Sequence, residues 1–98
     1  MVYKIKILPI AEQDLENMVT YLNGLSSDLG LQFYDDVIKV IRSLKKFPGK
    51  NPLSKIPELR LKGYHTVNVR GYIVFYVITE FVEIRRVLHE RQNYSKIL

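Results

Sequence analysis

Histidine, arginine and tyrosine fall within six residues at the end of an apolar run, Phe81-Val82-Glu83-Ile84-Arg85-Arg86-Val87-Leu88-His89-Glu90-Arg91-Gln92-Asn93-Tyr94. Together these side chains suit phosphate chemistry. His89 is the candidate for proton transfer, since an imidazole titrates near neutral pH. Arg91 can hold a phosphate, or charge developing on one, with the planar fork of its guanidinium. Tyr94 can stack on a base or hold a proton. Each has a plainer alternative: a strand-end histidine bonded to backbone, a solvated arginine, a tail tyrosine packed on the fold. Their clustering is what singles them out. Arg60, Lys62, Arg70 and Arg86 are the further candidates for binding a nucleic acid or another target. They can track a phosphate backbone or equally receive acidic side chains of a protein.

Other chemistries have little support. His65 and His89 are the only histidines, and no carboxylate cluster repeats at ligand spacing, so no metal site is expected. The five glycines are scattered and form no phosphate-cradling loop. No serine lies in a nucleophile elbow. No cofactor is expected.

The 98 residues fit one domain spanning 1–98, and 47% hydrophobic with 26% charged residues is an ordinary globular balance. Cysteine is absent, which excludes disulfides and thiolate sites and suits a reducing cytoplasm. The longest apolar run, Tyr72 to Ile78, is too short to span a bilayer, and no export signal is visible. A cytoplasmic protein with no membrane partner is expected. The net charge of +5 is lopsided: residues 1–49 carry six basic and six acidic side chains, residues 50–98 nine basic and four acidic. A one-sided excess suits a polyanion or an acidic protein partner, with plain solubility as the alternative.

The elements that position these residues follow from periodicity. Val2 to Leu8 alternates, with Tyr3, Ile5 and Ile7 on one side, and reads as a short strand. Pro9 suits the first turn of a helix, and Glu12, Asp14 and Glu16 favour its positive end. Ala11, Leu15, Met18, Val19 and Leu22 make one apolar stripe, which Asn23-Gly24 should end. Ser26-Ser27-Asp28 offers caps for a second helix striped by Phe33, Val37, Val40, Ile41, Leu44 and Phe47. Gly49 to Glu58 reads as a loop. Three strands follow: Tyr64 to Arg70, a central Tyr72 to Thr79 that is apolar on both faces, and the run from Phe81. Arg86 falls on the apolar phase of that last strand, implying a bulge or a place at the sheet's rim. The fold class is α+β, with order β-α-α-β-β-β. A helical hairpin should cover one face of a small, mostly antiparallel sheet. Thr66, Asn68, Arg70 and His89 should then line an open, concave, polar face opposite.

At this point the chain resembles the RelE/ParE superfamily of bacterial type II toxins. The markers are Pro9-Ile10-Ala11-Glu12-Gln13-Asp14-Leu15, Leu44-Lys45-Lys46-Phe47-Pro48, Pro57-Glu58-Leu59-Arg60, Gly71-Tyr72-Ile73-Val74-Phe75-Tyr76 and Arg86 to Tyr94, in order over nearly the whole length. The resemblance implies a growth-inhibiting toxin neutralised by a cognate acidic antitoxin, with operator DNA contacted mainly through that antitoxin. One branch cuts messenger RNA on the ribosome; the other poisons DNA gyrase. The position after Tyr72, commonly arginine in the superfamily, is Ile73, and His65, Thr66 and Asn68 stand where the nucleases tend to carry lysines. An electrostatic site short of cations loses orders of magnitude in phosphate chemistry. Gyrase inhibition is therefore the favoured expectation, and a ribosome-dependent endoribonuclease using His89, Arg91 and Tyr94 is the alternative. Glu58 or Glu90 would serve a related glutamate–arginine–histidine scheme.

Overall fold

The computed structural model describes residues 2–98, with every side chain but that of Ser95. Met1, counted in the expected domain, lies outside the described residues. Strand β1 (Lys4–Ile7) leads into helix α1 (Pro9–Leu25) and then helix α2 (Leu29–Ser43). A 3-10 turn (Pro48–Lys50) and a short helix α3 (Pro57–Leu61) precede strands β2 (His65–Val69), β3 (Tyr72–Ile78) and β4 (Phe81–His89). A last turn of helix, α4 (Tyr94–Ile97), closes the order. The four strands form one sheet in the order β1-β4-β3-β2. The last three are an antiparallel meander, and β1 joins as a parallel edge strand, Ile5 opposite Val82 and Ile7 opposite Ile84. The expected α+β architecture is the one observed.

β3 sits inside the sheet, and its consecutive residues Val74, Phe75 and Tyr76 are all 0% exposed. Three neighbours along a strand can all be buried only if both faces are covered. Two cores do this. Under the helical hairpin, Ala11, Leu15, Met18, Phe33, Val37 and Ile41 meet Val74, Tyr76, Val82, Ile84 and Val87. On the other face, Leu59 and Tyr64 meet Ile73, Phe75, Val77 and Leu88, with Ile56, Tyr94 and Leu98 packed against them. Each fully buried aliphatic or aromatic side chain contributes about 1.5–3 kcal/mol.

The open polar face expected from the sequence is therefore corrected: α3 and α4 cover it with an apolar layer of their own. The stretch read as a loop, Gly49 to Glu58, runs into α3 because Pro57 opens a helical turn whose Leu59 is buried at 1%. Ser54, almost fully buried, holds the approach to it: its N–H donates to the Tyr64 carbonyl (2.8 Å) and its hydroxyl accepts from Ile56 N–H (3.2 Å).

Two further expectations change. α1 continues through Asn23-Gly24 to Leu25. The cap of α2 also comes from elsewhere. Its N-cap residue Asp28 lies in the left-handed region (φ 68°) and makes no side-chain cap, while Asn23 of α1 accepts from the Gly30 N–H at 2.9 Å. That bond requires close approach of the helices. A Cβ on Gly30 would lie 2.6 Å from the Val19 carbonyl oxygen and 2.5 Å from the Asn23 Oδ1.

Gly30→Ala should accordingly part the hairpin and lower the unfolding free energy by about 1–3 kcal/mol. Gly24→Ala, which meets nothing within 4 Å, should be neutral or stabilising by up to about 1 kcal/mol. Urea denaturation of the two variants checks the opposite signs.

Candidate functional site

The chemistry-bearing end of β4 is built by a bulge. Phe75 pairs with Arg86 but Tyr76 pairs with Ile84, leaving Arg85 as an extra residue. The bulge resets the alternation, so Val82 and Ile84 before it and Val87 after it all enter the core under the hairpin, while Leu88 turns to the other core. The apolar phase on which the sequence places Arg86 is thus broken at Arg85, by the bulge, one of the two expected explanations. Arg86, at the break, turns toward α1. Its Nε and Nη2 donate to the two carboxylate oxygens of Asp14 at 2.8 and 2.9 Å, and Asp14 also accepts from the Val87 N–H at 3.0 Å. Both side chains are largely buried, 18% and 11% exposed. The bond to Asp14 raises the Arg86 pKa above its usual value, against the opposing pull of burial.

His89 ends β4 opposite Tyr72, its ring edge-on to the tyrosine with centroids 5.1 Å apart. The following turn fixes it. Its N–H donates to Gln92 Oε1 (2.7 Å), and its Nδ1 accepts from the Arg91 backbone N–H (3.1 Å). An accepting Nδ1 leaves the proton on Nε2 in this arrangement. The ring borders a groove of about 320 Å³ between α1 and the β4 end, lined by Asp14, Tyr21, Tyr72, Arg86, His89 and Gln92 among others. Burial, and secondarily Tyr21, raises the Tyr72 pKa. The phenol therefore stays protonated at neutral pH and can donate a hydrogen bond there but not accept a proton as a base.

Arg91 and His89 are thus brought together in one turn; the other candidates are not. Arg70 occupies a two-residue hairpin turn with Gly71 (φ 48° and 84°), the left-handed pair that matches strand twist. It reaches α2, with Nη2 2.7 Å from Asp36 and the guanidinium over the Phe33 ring at 6.0 Å. Arg70 and His89 therefore lie on the hairpin side of the sheet, not on the opposite face expected for them. Tyr94 packs against Phe75 (centroids 5.2 Å) on that opposite face, so the sheet separates it from His89. Arg60 and Lys62 are exposed on and just after α3. His65 stacks on Tyr76 (5.2 Å, 16°) and its Nδ1 bonds the Asn51 carbonyl at 2.7 Å. Among the described residues no three His, Cys, Asp or Glu side chains converge as a metal site.

Sequence reasoning assigned Asp14 to the helix dipole and missed its part in the site, along with Tyr72, Tyr21 and Gln92. A signal for Asp14 was present. It lies three residues after Ala11 and four before Met18, on the apolar stripe, and Arg86 lies on the apolar phase of its strand. An acid and a base at two inward positions suit each other as partners.

The sequence model of the family described as ParE toxin of type II toxin–antitoxin system, parDE, matches residues 5–94. The chain belongs to this ParE toxin family, within the RelE/ParE superfamily. Among solved structures, it is similar to a chain of the chromosomal ParDE toxin–antitoxin system from P. aeruginosa. That match has TM-score 0.77 and 16% identity, covering 90% of this chain and 96% of that one. It is also similar to a chain of the toxin–antitoxin complex RelBE2 from Mycobacterium tuberculosis, with TM-score 0.66 and 20% identity, covering 94% and 95%. At these identities the structural likeness concerns the fold. No curated protein matches.

Asp14→Ala leaves the largely buried Arg86 without its partner and should cost about 3 kcal/mol of stability. In a double-mutant cycle with Arg86→Met, measured by urea denaturation, the two costs should fall short of additivity by more than about 1 kcal/mol. Tyr72 supplies a pH test. Its folded pKa is raised, so its stabilising contribution is full below the unfolded value of about 10 and is lost as pH rises beyond it. Tyr72→Phe should therefore flatten the fall in urea midpoint on the alkaline side of about pH 10.

Proposed function

We propose that this protein is a growth-inhibiting toxin that acts by binding DNA gyrase, and that a cognate acidic antitoxin neutralises it. The observation that carries the reading is where the arginines are spent. A phosphoryl-transfer site without metal needs cations aimed at one point. Here Arg86 is clamped by Asp14 and Arg70 by Asp36. Ile73, where the superfamily commonly has arginine, is buried in the second core, and Tyr94 lies across the sheet from His89. What remains is better suited to binding than to cutting. Membership of the ParE toxin family supports the same branch.

The antitoxin reading has support from geometry as well as from the ParDE and RelBE2 likenesses. β1 is a sheet edge, and between it and α2 runs a groove of about 930 Å³. Tyr3, Ile5, Ile7 and Ile38 form its apolar floor, and Lys4, Lys39, Arg42 and Lys45 its basic rim. An acidic, partly disordered chain that orders on binding would complement both. Such a complex would reach its operator through the antitoxin. The expected site of action is the cytoplasm; among the described residues no helix is long and apolar enough to cross a membrane.

One observation favours the nuclease alternative: Arg91 and His89 share a turn, with the Arg91 N–H bonded to the imidazole. Two assays with the same purified toxin separate the readings. Added in excess to gyrase and plasmid, it should block supercoiling and trap cleaved DNA, and antitoxin should reverse this. Primer extension on ribosome-bound messenger should show no new 5′ ends. Intact supercoiling together with cuts at the ribosomal A site, lost in His89→Ala or Arg91→Ala, would replace gyrase inhibition with endoribonuclease activity.

A further inference from the structure

We infer that the face formed by α3 and α4 is a surface for the sugar–phosphate backbone of duplex DNA, contacted by the toxin itself. The starting point is the fate of the charge excess. Three of the second-half arginines are neutralised within the fold: Arg70 by Asp36, Arg85 by Glu83 and Arg86 by Asp14. Six cations of the second half remain, four of them in or beside α3 and α4. Lys55, Arg60 and Lys62 lie along the approach to α3, through it and just past it, and Lys96 lies on α4; all four are exposed. The two helices adjoin because Leu59 and Ile56 share a core with Tyr94 and Leu98, and Lys62 Nζ reaches the Leu98 main-chain oxygen at 3.5 Å. None of the four makes an ion pair with a described side-chain carboxylate, and Glu58 is the one acid on the same short helix.

The rest of the face decides the kind of polyanion. Its aromatic rings are turned inward: Tyr64 is edge-on to Phe75 at 6.3 Å, and Tyr94 lies on the same Phe75. Among the described residues of this face no ring stands fully exposed to stack on unpaired bases, which is how single strands are gripped. Leu61, 89% exposed among the cations, is a single apolar contact. Cations without stacking rings hold a regular phosphate array in a sequence-independent way. A second basic group, the rim beside α2, is interleaved with Asp35 and borders an apolar groove, so it suits a peptide better.

This inference does not depend on gyrase as the target, and its test contains none. Fluorescence anisotropy with a labelled duplex of about 20 base pairs should show weak binding, with affinity falling about 100-fold between roughly 50 and 200 mM salt if four phosphates are engaged. Arg60→Gln/Lys62→Gln should weaken binding at least tenfold at low salt and reduce the log–log salt slope by about 2. The charge-preserving pair Arg60→Lys/Lys62→Arg should bind as the parent does. Lys39→Gln/Arg42→Gln, which removes equal charge from α2, should change little. Absence of duplex binding at low salt, equal loss from the α2 pair, loss in the charge-preserving pair, or tighter binding to single-stranded RNA would each overturn the proposal.

Discussion

The Asp14–Arg86 pair is the contact on which the arrangement of this molecule most depends. It joins the first helix to the last strand across 72 residues of chain, and the same carboxylate binds the Val87 N–H, the backbone just past the bulge. A bulge in the middle of a buried strand exposes backbone groups that need partners. Asp14 supplies one and neutralises the arginine that the bulge turns inward. Once the bulge is held, the phase of the remaining strand follows. Val87 packs under the helices, Leu88 faces the other core, and His89 stands beside Tyr72 at the mouth of the groove. Replacing this pair with apolar side chains could leave the fold no less stable, as is general for buried ion pairs. Its consequence is positional.

The same economy explains the charge pattern. The hairpin brings α1 and α2, with their carboxylates, over one face of the sheet. Arginines that point to that face meet Asp14 and Asp36 and are held within the fold. The opposite face receives only α3 and α4, which with the residues flanking α3 carry four cations and the one side-chain carboxylate of Glu58. The first half of the chain is neutral overall, and the second half carries the whole excess of +5. Here it is partly cancelled on one side and left standing on the other. The protein thus offers an apolar groove with a basic rim at its β1 edge and a basic plate on its back. These are chemically distinct surfaces, suited to different partners.

Legibility from sequence varied with how local the cause was. The strands and the two long helices were readable because alternation and the 3.6-residue period are properties of neighbouring residues. The apolar-on-both-faces run of β3 announced a central strand. α3 was missed because five residues carry too little periodicity, and its stability comes from Leu59 entering a core that exists only once the sheet is formed. The α2 cap was misread for the same reason: Ser26, Ser27 and Asp28 are good local caps, but the close helix crossing at Gly30 lets Asn23 take that bond. At the site, His89 and Arg91 were found as a cluster because they share a turn. Tyr94 was grouped with them by sequence distance, yet three residues of chain after Arg91 suffice to carry it past the end of β4 to the other face.

By itself, then, the amino-acid order determined the α+β class, the succession of elements, the kinship with RelE/ParE toxins and the excess of positive charge in the second half. Each is a matter of residue type and short-range spacing. Tertiary structure alone decided which charges are free. Whether an arginine is a tool or a strut depends on the carboxylate that folding brings to it, and Asp14 and Asp36 are remote in sequence from Arg86 and Arg70. It also decided which face is open, because the cover over the second core is assembled from two short segments more than thirty residues apart. Burial and pairing are properties of distance in space, and sequence spacing does not encode them.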